Sequence, residues 1–334
     1  MAGSLTRLAI IGGGSWGTAL AIVLAPRFDQ IGLWLHESDL ASRIEASREN
    51  DVFLPGVRLP DTVHATSSIP EALADAEIVL GVMPSHYARE SYHQLLPHLK
   101  TNVLFVSATK GIERGSLLRM SQVMEEVLGA EAQIAILSGP TFAREIAHGE
   151  PAAVVVASRQ PEVAGRIQAA FSGPTFRLYT NCDATGVEVG AALKNVIAIA
   201  AGVCQGLGLG SNIQAALITR GLAEITRLAV AMGGQERTLA GLAGLGDLVL
   251  TCSGDLSRNR MVGKELAKGR TLSDIVGSMK MVAEGVETCD AAVALGRKFK
   301  VDLPITEQMY AVLHSSKSPR EAIRELMERA LKPE

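Results

Sequence analysis

A doubly wound α/β sheet, mostly parallel, followed by an all-α C-terminal domain is what the sequence predicts, on three observations. Short apolar runs alternate with helical patterns through the first half of the chain. After about Tyr179 the strand-like runs stop and long helical patterns take over. A length of 334 residues suits roughly two domains at about 150 residues each. The predicted division is therefore residues 1–180 and residues 181–334.

The predicted strands are 8–11, 31–35, 78–82, 103–106, 134–137 and 153–157. Each is rich in Val, Ile, Leu and Ala and lacks polar alternation, as a parallel sheet covered on both faces requires. Helical patterns over 16–24, 85–99, 117–128 and 161–170 lie between them, and the β-α-β-α order is that of a doubly wound sheet. Beyond residue 183 the helical stretches are 185–204, 212–232, 258–268, 284–299 and 305–330. Glycines at 206, 208, 210, 233, 234, 241, 244 and 246 punctuate them.

Composition excludes several function classes. The chain holds 32 Lys and Arg against 35 Asp and Glu, a net charge of −3, with no basic block, so neither nucleic acid nor an anionic membrane is an expected partner. Its 47% hydrophobic content is that of a globular chain. The four cysteines, Cys182, Cys204, Cys252 and Cys289, form no Cys-x-x-Cys pair and gather no ligand-spaced histidines, so no metal site is predicted and a reducing, cytoplasmic setting is. The uncharged run 8–26 superficially resembles a signal peptide or a membrane span. Glycines at 12, 13, 14 and 17 break it, which favours a folded turn. Glycine is abundant at 33 residues, whereas Phe, Tyr and Trp number only seven, four and two.

The first strand runs into Gly12-Gly13-Gly14-Ser15-Trp16-Gly17, a Gly-x-Gly-x-x-Gly pattern. Alone the pattern is weak, but a strand before it and a helix after it match a Rossmann-type dinucleotide turn. Gly12 would make the turn, Gly14 would admit a pyrophosphate, and Gly17 would let helix and strand pack closely. The second strand ends at His36-Glu37, which points two ways. An acidic residue there suits the ribose hydroxyls of NAD, and a cationic one suits the 2′-phosphate of NADP; an exposed loop histidine is the plain alternative.

Lys110 follows the fourth predicted strand, where ligands of open α/β sheets bind, and either serves a phosphate or carbonyl there or is a solvated lysine. Ser138-Gly139-Pro140-Thr141 occupies the equivalent place after the fifth, as a ligand loop or a simple turn. Lys194 is the most informative residue. Its helical face carries Val187, Gly190, Ala191, Ile197, Ala198 and Ala201, so its ammonium enters an apolar setting that lowers its pKa, unless it snorkels outward or pairs with a structural carboxylate. Asp247, after Gly244-Leu245-Gly246, either positions Lys194 or caps a helix. Ser257 reads as an N-cap. With Arg258 and Asn259 beside it, that helix start is either a phosphate site or an ordinary capped surface turn.

At these residues the chain resembles the bacterial NAD(P)-dependent glycerol-3-phosphate dehydrogenases, from about residue 8 to 314. The motifs that carry the resemblance are Gly-Ser-Trp-Gly-Thr-Ala-Leu-Ala at 14–21, Ala-Thr-Lys-Gly-Ile-Glu at 108–113, Ser-Gly-Pro-Thr-Phe-Ala at 138–143, Ala-Leu-Lys-Asn-Val at 192–196 and Gly-Leu-Gly-Asp-Leu at 244–248. The resemblance implies that Lys194 is the proton donor and acceptor, and that Lys110 touches substrate and cofactor. It implies that Gly139, Thr141, Asp247, Ser257, Arg258 and Asn259 contact glycerol phosphate, and that Ser15, Trp16, His36, Ala143, Arg258, Val282 and Glu284 contact the dinucleotide. Residue 141 is Thr where Ser is common, which keeps the hydroxyl. Residue 36 is His where Arg is frequent, which leaves NADP or NAD as cofactor, leaning to NADP.

The activity so implied is reversible reduction of dihydroxyacetone phosphate to sn-glycerol 3-phosphate, for phospholipid synthesis. A homodimer is a further implication of the family. Two rivals differ in what they require. Dehydrogenases of the β-hydroxyacid or 6-phosphogluconate type pair a helical Lys with an Asn one turn later, whereas here residue 198 is Ala and the Asn is adjacent, at 195. A dinucleotide sensor without catalysis would not need Lys110, Lys194, Asp247 and Arg258 together.

Overall fold

The computed structural model describes residues 6–279 and 282–331. Eight strands form one sheet: β1 (Arg7–Ile11), β2 (Gln30–Trp34), β3 (Val63–Thr66), β4 (Ile78–Gly81), β5 (Leu104–Ser107), β6 (Gln133–Ser138), β7 (Ala152–Ala157) and β8 (Phe176–Asn181). Their spatial order is β3-β2-β1-β4-β5-β6-β7-β8. All neighbours are parallel except β6 and β7, so the last two strands run against the first six. Helices α1 (Ser15–Leu24), α2 (Ser38–Ser47), α3 (Ile69–Ala72), α4 (Ala88–Leu95), α5 (Met120–Leu128), α6 (Ala143–Ala147) and α7 (Pro161–Phe171) lie among these strands. Two separate apolar clusters result, divided by the sheet: Leu8, Ile10, Leu80 and Val106 belong to one, and Ala9, Ile11, Val79 and Phe105 to the other. Successive residues of one strand feed opposite cores, which is why these runs are apolar without alternation.

All six predicted strands form, each within a residue or so at its ends. The two that sequence reading missed, β3 and β8, are the edges of the sheet. Along β8, Phe176 and Leu178 are buried while Arg177 and Tyr179 are exposed, and β3 alternates likewise. An edge strand with one wet face lacks the continuous apolar run by which the inner strands were found.

From residue 184 onward the described residues form helices and no strand. These are α8 (Ala184–Gly206), α9 (Ser211–Ala231), α10 (Glu236–Leu239), α11 (Asp247–Ser253), α12 (Arg258–Ala267), α13 (Leu272–Gly277), α14 (Glu284–Phe299), α15 (Pro304–His314) and α16 (Pro319–Met327). The helix predicted over 305–330 is in fact two: Ser316 takes a left-handed φ of 55°, and Ser318 caps α16 with Pro319 at its first position. Likewise the helix predicted from residue 117 begins at Met120, because Leu117 has φ 61°. Short helices α3, α6, α10, α11 and α13 carried too little periodicity to be read, and α2, longer but largely polar, buries only Leu40, Ala41 and Ile44.

Helix α8 is the axis of this second part. Twenty-three residues long, it is apolar enough to cross a bilayer, yet every residue from Gly186 to Cys204 is buried among other helices. Asp183 caps it, accepting from the Gly186 N–H at 2.8 Å. Small residues let α12 approach it to backbone contact. A Cβ on Gly202 would lie 1.9 Å from the Arg260 carbonyl oxygen, and one on Gly263 would lie 1.9 Å from that of Ile199. Substituting Gly263→Val therefore has to pry two backbones apart, and should lower stability by about 3 kcal/mol. Urea melts of the variant measure this; an unchanged midpoint would contradict the close crossing.

Candidate active site

The chain reverses its direction of winding between β1 and β4, which opens a crevice at the carboxyl ends of those strands. The glycine turn sits there. Gly12 has φ +118°, and a Cβ on it would come 2.9 Å from the Val82 carbonyl carbon. A Cβ on Gly17 would overlap the Gly12 oxygen, 1.9 Å away, so α1 packs directly on the turn. Beside Gly14 a Cβ would meet nothing within 4 Å. Gly14 is the N-cap of α1 and offers no capping side chain, so no Cβ stands between the helix start and the crevice. That is the room and the donor set that a pyrophosphate needs, and the dinucleotide fits this turn.

Side chains that sequence reading passed over hold the turn in place. The buried Asn50 donates through Nδ2 to the Gly13 carbonyl and to Thr18 Oγ1, both at 2.8 Å. Ser15 Oγ donates to the Phe53 carbonyl at 2.6 Å, while Trp16 packs against the core of the sheet. At the end of β2, His36 is exposed, its ring centroid 6.1 Å from that of Trp34 in an edge-on arrangement, and Glu37 is exposed beside it. Ala143 begins α6 and packs on the same core.

Three charged groups that are far apart in sequence meet in the interior between the sheet and α8. Lys194 Nζ donates to Asp247 Oδ1 at 2.7 Å and to Thr251 Oγ1 at 2.6 Å. Lys110 Nζ, from the loop after β5, donates to the other oxygen of Asp247 at 2.8 Å and to the Gly139 carbonyl at 3.1 Å. Asp247 is fully buried and Lys194 is 5% exposed. Asp247 starts α11 but caps nothing: of the two alternatives, it positions Lys194. The turn before it, Leu242–Gly246, is wound as a π-helix that delivers the carboxylate inward. Thr141 Oγ1 donates to the Gly139 carbonyl at 3.2 Å, keeping that loop closed on itself.

Burial drives the Lys194 pKa down to about 8, opposed by Asp247 and assisted by the positive charge of Lys110. An amine poised there can give or take a proton near neutrality. Thr251, one helical turn after Asp247, fixes the lysine from the other side by donating to the Asp247 carbonyl at 2.6 Å. Its i+4 spacing from Asp247 was the only signal of it in the sequence.

The start of α12 adjoins the Lys194 segment of α8 through Asn259 and Asn195. Ser257 is its N-cap, accepting from the Arg260 N–H at 3.2 Å. Arg258 is exposed and has no carboxylate within ion-pair distance among the described residues. Asn259, however, turns its side chain inward. Its Nδ2 donates to Asn195 Oδ1 at 3.0 Å, and its Oδ1 accepts from the Gly285 N–H at 2.9 Å, which ties α8, α12 and α14 together. What Asn259 leaves for a ligand is its backbone N–H in the first turn. Val282 is exposed just before α14, and Glu284 is held by Ser85. Among the described residues no group of His, Cys, Asp and Glu is arranged to hold a metal.

Residues 7–164 match the family described as NAD-dependent glycerol-3-phosphate dehydrogenase N-terminus, and residues 183–324 match its C-terminus. The chain belongs to the NAD-dependent glycerol-3-phosphate dehydrogenase family. It is 56% identical over 329 residues to a glycerol-3-phosphate dehydrogenase (NAD(P)+) of Koribacter versatilis, covering 97% of this chain and 98% of that one. A relative of the same name from Geobacter sulfurreducens is 51% identical over 330 residues, 98% of both chains. Among solved structures, glycerol-3-phosphate dehydrogenase from Coxiella burnetii superimposes with a TM-score of 0.93 at 38% identity, over 97% of this chain and 99% of that one. The yeast enzyme from Saccharomyces cerevisiae gives 0.81 at 27% identity, over 97% and 99%.

The Asp247 carboxylate is bonded to two lysines, so its loss leaves two cations facing each other. Asp247→Asn should destabilise the fold by roughly 3 kcal/mol at pH 7. The penalty should shrink as pH rises toward about 8, because Lys194, without the carboxylate that raises its pKa, sheds its proton below the parent value. Denaturant melts across that range test both the size and the trend.

Proposed function

We propose that this chain reversibly reduces dihydroxyacetone phosphate to sn-glycerol 3-phosphate with NADPH or NADH, and so supplies glycerol phosphate for phospholipid synthesis. The observation that carries this reading is the Lys110–Asp247–Lys194 cluster beside a dinucleotide turn, in a chain of this family.

The roles follow from position and charge. Gly12, Gly14, Ser15, Trp16 and Gly17 hold the pyrophosphate, with His36 toward the adenosine ribose and Lys110, Ala143, Arg258, Val282 and Glu284 toward the rest of the cofactor. When bound, a reduced nicotinamide supplies hydride to the ketone carbon. The carbonyl oxygen gains negative charge as its π bond breaks, and Lys194 Nζ gives it a proton. Lys110 keeps a second positive charge near that oxygen, while Asp247 and Thr251 hold Lys194 in one orientation. Gly139 and Thr141 border the glycerol backbone. Ser257, Arg258 and the backbone N–H of Asn259 receive the phosphate at the start of α12. His36 favours NADP when its ring is charged, and Glu37 beside it keeps NAD within reach.

On this reading residues 1–180 bind the dinucleotide and residues 181–334 carry the substrate site and the acid. We place the enzyme in the cytoplasm, in keeping with four unpaired cysteines, and as a homodimer, in keeping with its family.

The direct test is ketone-dependent loss of reduced-nicotinamide absorbance on adding dihydroxyacetone phosphate, run with NADPH and with NADH. Silence with both cofactors would refute the proposal. Lys194→Met should cost about 10²–10⁴ in kcat. The pH profiles should mirror each other. Reduction needs the ammonium and falls as pH rises through about 8, whereas oxidation of glycerol phosphate needs the free amine and climbs over the same interval.

A further inference from the structure

Glu284 and Arg258 lie at the first positions of α14 and α12, whose starts are joined by the Gly285 N–H donating to Asn259 Oδ1 at 2.9 Å, and each feels the other's charge. Left to themselves, a carboxylate and a guanidinium so placed would pair, and the cation awaiting the substrate phosphate would be neutralised. They do not pair. Glu284 is held instead by Ser85, which belongs to the other half of the chain and follows β4. The Ser85 N–H donates to Glu284 Oε1 at 3.1 Å, and Ser85 Oγ donates to Oε2 at 2.8 Å.

The contact is built into its surroundings. Ser85 is 2% exposed. The segment before it is fixed from two sides, by the Gly12 backbone against Val82 and Met83, and by Thr109 Oγ1 donating to the Met83 carbonyl at 2.8 Å. Residue 111, next to Lys110, has to be glycine for the contact to exist: a Cβ there would come 2.5 Å from Ser85 Oγ and 2.9 Å from Glu284 Oε2. On the helical side, Asn259 Oδ1 accepts from the Gly285 N–H and holds the start of α14. Burial raises the Glu284 pKa, while the two bonds from Ser85 act to keep it ionised.

We propose that Ser85 is a positioning residue for the reaction: by holding the Glu284 carboxylate across the cleft, it keeps Arg258 free to take the substrate phosphate. The proposal rests on the function assigned above and adds a residue that touches neither substrate nor reacting atoms. Ser85→Ala removes one of the two bonds and releases the carboxylate toward Arg258. The KM for dihydroxyacetone phosphate should then rise about tenfold, with kcat within about twofold of the parent.

A purely structural role would not depend on the charge of residue 284, and this is what the second arm reads. In a Glu284→Gln background, where no anion is available to Arg258, adding Ser85→Ala should leave the KM unchanged. Ser85→Thr, which keeps the hydroxyl, should retain the parent KM and provides the comparison if the alanine variant melts early. An unchanged KM in Ser85→Ala, or the same tenfold rise in the Glu284→Gln background, overturns the proposal. If the parent itself fails to oxidise NADPH or NADH with this ketone, the functional reading fails first, and the two failures are distinct.

Discussion

One buried carboxylate holds the working interior together. Asp247 accepts from Lys194 on α8 with one oxygen and from Lys110 on the β5 loop with the other, so a single side chain joins the helical part to the sheet. Removing three charges from water is costly unless each is paired and hydrogen-bonded. Here the cost is offset by short bonds, by Thr251 and by the Gly139 carbonyl, and the cluster keeps one positive charge in excess. That excess suits an anionic substrate on a chain whose overall charge is −3. Attraction comes from a few placed cations and helix starts, not from a general positive field.

The same helix is anchored a second time. Glu188, two turns before Lys194, accepts from the Ser121 N–H at 2.7 Å and from Ser121 Oγ at 2.6 Å, and pairs with Arg119 at the start of α5. This second link reaches the start of α5, where the N-terminal N–H groups favour a carboxylate, and Glu284 likewise accepts from a backbone N–H, that of Ser85. The relative placement of the two parts is therefore fixed by directional polar contacts around an apolar helix. Small residues make this possible, because α8 can be surrounded on every side only if its neighbours approach to backbone distance.

Local chemistry gives Asn259 a use beyond the one its family resemblance implies. By resemblance it is a substrate contact. In the structure its amide links Asn195 to Gly285, and so connects the residue after Lys194 to the start of α14. Both uses are compatible, since a side chain fixed on two neighbours presents its own backbone N–H in a constant direction.

The sequence by itself determined the inner strands, the long helices and the glycine turn, and it singled out Lys110, Lys194, Asp247 and Arg258 as candidates. Those features are written in short-range patterns: apolar runs buried on both faces, 3.6-residue periodicity, and glycines where a backbone must turn or approach. It did not reveal the edge strands β3 and β8, the break at Ser316, or which of two uses Asp247 serves. Nor did it mark Asn50, Ser85, Thr251 or the inward turn of Asn259. Each of these depends on a partner between 24 and 199 residues away, or on a single residue's backbone angle, and no local pattern encodes either. The tertiary structure alone decided that Lys110 and Lys194 share one carboxylate, because only folding brings residues 110, 194 and 247 within hydrogen-bonding reach.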